Sequence, residues 1–105
     1  STSVSPYIII EVPVAGQNLS DIAFVQGRIV AQGDRYLEAL QLFVDGAQNT
    51  IDPYSFWNTS LNTTGFQNGE YTLKVVALFS NGISVSSEVD VLLYNFRQFV
   101  FQQEY

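Results

Sequence analysis

Along most of the chain, apolar and polar side chains exchange places at every second residue, the period of a strand with one buried face. Between Phe24 and Ala31, the residues Val25, Gly27, Ile29 and Ala31 fall on one side, with Gln26 and Arg28 on the other. Tyr36 to Leu40 could begin a helix on propensity. The continuation predicts a strand instead, because Leu40, Leu42 and Val44 alternate with Gln41 and Phe43 and run into Asp45-Gly46, a pair suited to a tight hairpin. Ala47 to Ile51 then returns as a short edge strand. Tyr71, Leu73, Val75 and Ala77 share one side, opposite Thr72 and Lys74, and Asn81-Gly82 predicts a two-residue turn before a long strand from Ile83 to Tyr94. The β-branched run after Pro6 fits a first or edge strand. The aromatic segment Tyr54 to Trp57 reads as another strand, ending in the polar run Asn58 to Thr64. About seven strands and no convincing amphipathic helix predict an all-β, antiparallel sandwich. Its core is expected where the odd residues of 71–77 meet the even residues of 40–44 face to face between two layers.

The expected domain covers 1–95. The segment 96–105 is an apolar C-terminal extension or the lead into a next module, and the spacing of Phe96, Phe99 and Val100 also fits a helix.

The runs Gly27-Arg28-Ile29-Val30-Ala31, Leu40 to Gly46, Pro53 to Thr59, and Asn68-Gly69-Glu70-Tyr71-Thr72-Leu73-Lys74-Val75-Val76-Ala77 follow one another in order. That order resembles the bacterial and archaeal immunoglobulin-like modules, of fibronectin-III-like type, found in extracellular proteins. The resemblance covers roughly residues 22 to 94 and implies an immunoglobulin-like β-sandwich. Tyr71, two residues before the strand interior, stands where such a sandwich has a tyrosine corner. The connection Ala31 to Glu38 and the longer segment Leu61 to Gln67 depart from the pattern.

Composition narrows the chemistry. The 105 residues contain no Cys, His or Met, and four Lys or Arg against ten Asp or Glu leave a net charge of −6. A thiol nucleophile, a histidine base and a His or Cys zinc site therefore lack their atoms. Nucleic acid is an unfavourable partner without a basic face. Amide and hydroxyl residues outnumber the charged ones more than twofold, which suits an extracellular or cell-surface setting. No stretch reaches the length of a membrane span, and a chain without Met is expected to be a cut or processed form.

Candidate sites are few. Tyr54, Phe56, Trp57 and Phe43 are either core or a stacking platform for sugar rings. If Phe56 points inward, Tyr54 does too and Trp57 turns outward with Ser55, which makes Trp57 and Phe43 the candidate ligand contacts. Asn18, Asn58 and Asn62 each open an Asn-x-Ser/Thr triplet in a predicted loop and are candidate glycosylation sites. Turn chemistry accounts for Asp45 and Asp52, Asp34 and Glu38 form no calcium loop, and no metal or cofactor is expected. Scattered acids and an outward Lys74 offer no catalytic pair. The expected role is a non-catalytic spacer or adhesion module of a larger secreted or cell-surface protein. The alternatives are a carbohydrate-binding accessory module or a self-assembling surface, pilus or virion subunit. Its partners would be neighbouring domains, carbohydrate or like subunits.

Overall fold

The computed structural model describes residues 5–95; the segment 96–105 lies outside it, together with the strand, helix and linker readings made for that segment. Among the described residues, eight strands form two sheets. β1 (Tyr7–Val12), β3 (Ile22–Val30) and β6 (Phe56–Asn62) make a three-stranded sheet in the order β1-β3-β6. β2 (Asn18–Leu19), β4 (Leu37–Val44), β5 (Ala47–Ile51), β7 (Gly69–Phe79) and β8 (Ser84–Leu93) make a five-stranded sheet in the order β2-β8-β7-β4-β5. Every pairing is antiparallel except the short β2 alongside β8. The chain therefore changes sheets between Val12 and Asn18, where Pro13 breaks the ladder and Gly16 donates its N–H to Asp90 O on β8. One short 3₁₀ turn, Thr63–Gly65, follows β6.

Alternation predicts the inner surface of most strands. Leu40, Leu42 and Val44 are buried beside Ala77, Val75 and Leu73, and Leu37 to Val44 is strand rather than helix. One expectation needs correcting: these two sets do not face each other across the sandwich. They are cross-strand neighbours on the inner side of one sheet, Leu42 opposite Val75 and Val44 opposite Leu73. The opposing layer comes from Ile8, Ala23, Val25, Ile29, Trp57 and Leu61 of the smaller sheet. Truncating a buried leucine here would cost about 2–5 kcal/mol.

The turns follow the residues that can make them. Asp45 and Gly46 both take positive φ (47° and 96°), the requirement of the tight hairpin joining β4 and β5. The Asn81-Gly82 turn is longer than expected. Gly82 N–H bonds Phe79 O and Phe79 N–H bonds Ile83 O, so three residues form the loop and only Gly82 takes positive φ (87°). Asn81 Oδ1 accepts from Ile83 N–H at 3.2 Å, which fixes the loop by a side-chain turn.

The expected tyrosine corner is present: Tyr71 donates its hydroxyl to Gln67 O at 2.6 Å, and its ring meets Phe66 edge-on at 5.5 Å.

Strand β6 departs from its reading. It starts at Phe56, after Tyr54 and Ser55, and runs on through the polar stretch to Asn62. Its inward side chains are Trp57 and Leu61, so the expected phase is reversed. The reason is the partner strand. Trp57 pairs with Gly27, and a Cβ at Gly27 would run into the Ile9 carbonyl oxygen and come within 2.7 Å of Trp57 Cζ2. The missing side chain of Gly27 is the space the indole fills.

Candidate functional site

Trp57 is only 2% exposed, which removes it as a ligand contact. Its indole N–H has no hydrogen-bond partner among the described residues, a cost that the fold accepts for the volume of the ring. The reversed phase puts Phe56 outside, 77% exposed, and Tyr54 just ahead of it is exposed as well.

Phe43, the other candidate contact, lies half-buried on the outer face of the five-stranded sheet, opposite Gln48 on β5 and Lys74 on β7. With Gln41, Lys74, Val76 and Glu88 it lines an open groove of about 440 Å³. A neighbouring groove of about 470 Å³ is bordered by Asp45, Glu70, Thr72 and Asp90. Three of its polar residues bond one another: Thr72 Oγ1 donates to Asp90 Oδ1 at 2.7 Å, and Asp45 Oδ1 accepts Thr72 N–H at 2.9 Å. Among the described residues, no three His, Cys, Asp or Glu side chains gather as a metal site.

The three sequon asparagines are exposed, but none lies in a loop. Asn18 opens β2, Asn58 is inside β6 and Asn62 closes β6. Asn62 also caps the 3₁₀ turn, its Oδ1 accepting from Thr64 N–H at 3.1 Å and Thr64 Oγ1 at 2.7 Å.

A buried polar cluster at the chain exit was not anticipated. Asn95 is buried; its Oδ1 accepts Asp21 N–H at 2.8 Å and its Nδ2 donates to Thr63 O and Oγ1, both at 3.2 Å. Thr63 Oγ1 donates in turn to Asp21 O at 2.9 Å, and Asn95 N–H bonds Asn68 Oδ1 at 2.8 Å. The long segment after Leu61, which departs from the family pattern, supplies Thr63 to this clamp. Since each buried polar atom has a partner, the last described residue is tied to both sheets.

Neither a protein-family model nor any curated protein sequence matches the chain. Solved structures do. The fibronectin(III)-like modules of CbhA from Clostridium thermocellum superpose with a TM-score of 0.67, covering 82% of this chain and 93% of theirs at 20% identity. The chain has the fold of a fibronectin(III)-like module. An endo-β-1,4-mannanase from Thermotoga petrophila matches with a TM-score of 0.78 at 17% identity, over 90% of this chain but 21% of the mannanase. A Cellulomonas fimi endo-β-1,4-mannanase double mutant matches with a TM-score of 0.58 at 16% identity, over 83% of this chain and 18% of that one. This chain spans only about a fifth of the length of each mannanase.

Proposed function

We propose that this module is a non-catalytic accessory unit of a larger secreted or cell-surface protein, acting as a spacer or adhesion element. The pairing register carries the reading. Tyr7 of β1 lies opposite Val30, at the end of the sandwich that holds the Ser80 to Ile83 turn, whereas β8 finishes with Leu93 opposite Gly69. First and last long strands therefore approach and leave from opposite ends, the arrangement that lets such units be strung between other domains. Similar folds that make up a minor part of polysaccharide-cleaving enzymes support a place beside a catalytic domain rather than in its stead. The amide- and hydroxyl-rich composition supports the extracellular setting.

The test is incubation of the chain with β-1,4-mannan, β-1,4-xylan and cellulose, followed by assay of released reducing ends. No release above a boiled control is expected; sustained release from any polymer overturns the reading. A carbohydrate-binding accessory role is favoured by the exposed aromatics of the smaller sheet.

A further inference from the structure

The outer face of the three-stranded sheet gathers exposed aromatic and aliphatic side chains on one surface. Its register sets out five rows: Tyr7 with Val30; Ile9, Arg28 and Phe56; Gln26 with Asn58; Phe24 with Ser60; and Ile22 with Asn62. Successive rows stand about 6.8 Å apart, two residues of strand rise. Phe24 is 64% exposed, and Tyr7, Ile22 and Phe56 are also exposed. The aromatic rows flank a polar belt. Gln26, Asn58 and Ser60 are exposed, and their side chains have no hydrogen-bond partner among the described residues. The only charges on the strands of this face are Arg28 and Glu11, which neutralise each other at 3.1 Å in a chain of net charge −6.

We propose that this face is a platform for a neutral polysaccharide, a proposal that rests on the accessory-module reading and names its partner. Aromatic faces take the C–H sides of sugar rings, and the amides and hydroxyls between them take the hydroxyls. The charge balance selects against an acidic polymer, since the single arginine is spent on Glu11 and the chain as a whole repels anions. A second copy is the poorer occupant. It would have to press a fixed surface onto the polar belt and pair every buried amide, because unpaired ones are costly. A sugar chain brings a donor and acceptor with each hydroxyl.

The test is affinity electrophoresis in soluble β-1,4-mannan and β-1,4-xylan, pull-down on cellulose, and polygalacturonate as the acidic control. At least one neutral polymer retards or retains the chain and polygalacturonate does not. Phe56→Ala and Phe24→Ala each weaken retention roughly tenfold, a loss of about 1.4 kcal/mol, with an unchanged melting temperature because both side chains stand in solvent. Phe43→Ala, on the opposite face, leaves retention as it was. The proposal is overturned if none of the three neutral polymers binds, if Phe43→Ala abolishes binding while Phe56→Ala does not, or if sedimentation shows a Phe56-dependent dimer without glycan retention. Polymer cleavage would sink the non-catalytic reading and leave retention intact, so the two failures are separable.

Discussion

The two outer faces of the sandwich are built by the same alternation, yet they differ in chemistry. On the five-stranded sheet the outward positions of β7 and β8 set Thr72 beside Asp90 and Lys74 beside Glu88, with Val76 and Leu78 further along β7 and no exposed aromatic on either strand's outward side, and Thr72 and Asp90 are hydrogen-bonded to each other. On the three-stranded sheet the outward positions hold Tyr7, Phe24 and Phe56 around a belt of unspent amides, with one neutralised ion pair. A strand needs only one apolar phase to bury itself. Where the outward phase is also apolar, packing of the domain does not account for it, and that excess is the part of the sequence free to serve contact with something else.

The contrast can be broken at its root by Gly27→Ala. With the Ile9 carbonyl and the Trp57 ring already in the way, the smaller sheet must part. A loss of more than about 3 kcal/mol is expected in urea unfolding, and hydrogen exchange should accelerate in β1, β3 and β6 ahead of β7 and β8. Equal acceleration in both sheets would show that they do not differ in this way.

Next in size is the clamp that joins the sheets. Asn95→Leu removes the side-chain acceptor of Asp21 N–H and the amide donor to Thr63 and is expected to cost about 2–3 kcal/mol, read as a lower urea midpoint. Tyr71→Phe removes a single exposed hydrogen bond at the edge of the five-stranded sheet. It should cost about 1 kcal/mol, and a neutral result would reduce the tyrosine corner to ring packing on Phe66. The smallest effect sharpens the comparison most. Phe56→Ser and Glu88→Gln, one on each face, should both leave stability within about 0.5 kcal/mol. Only Phe56→Ser should diminish binding of a hydrophobic dye; an equal decrease with Glu88→Gln would mean that the apolar character is not confined to the smaller sheet.

Much of the architecture was readable because period-two patterning and turn residues are local. The strand across Leu37 to Val44, the Asp45-Gly46 hairpin and the buried side of β7 follow from neighbours in sequence, whereas the hydroxyl contact of Tyr71 followed from the resemblance to immunoglobulin-like modules. The phase of β6 did not, since Tyr54, Phe56 and Trp57 supply apolar side chains in both phases. Leu61, four residues beyond Trp57, is the signal that could have decided it: both belong to one side of a strand, whereas Asn58, Ser60 and Asn62 belong with Phe56. With the strand ended before the polar run Asn58 to Thr64, Leu61 falls outside it and its phase goes unused. The aromatic face was missed with it, because Phe24, Tyr7 and Phe56 come together only through the register of three separate strands. The clamp was illegible for a different reason. Nothing in Thr63 or Asn95 distinguishes a buried hydrogen-bonding side chain from a solvated one until a 32-residue separation is closed.

The opposite placement of Tyr7 and Leu93 also determines how the sandwich meets mechanical load. A pull applied to β1 and β8 runs along the strands rather than across them, so the ladders of β1 with β3 and of β8 with β7 are loaded in shear. Their hydrogen bonds then share the tension and must fail together, where a peeled hairpin would lose them one at a time. A sandwich loaded in this way yields late and abruptly.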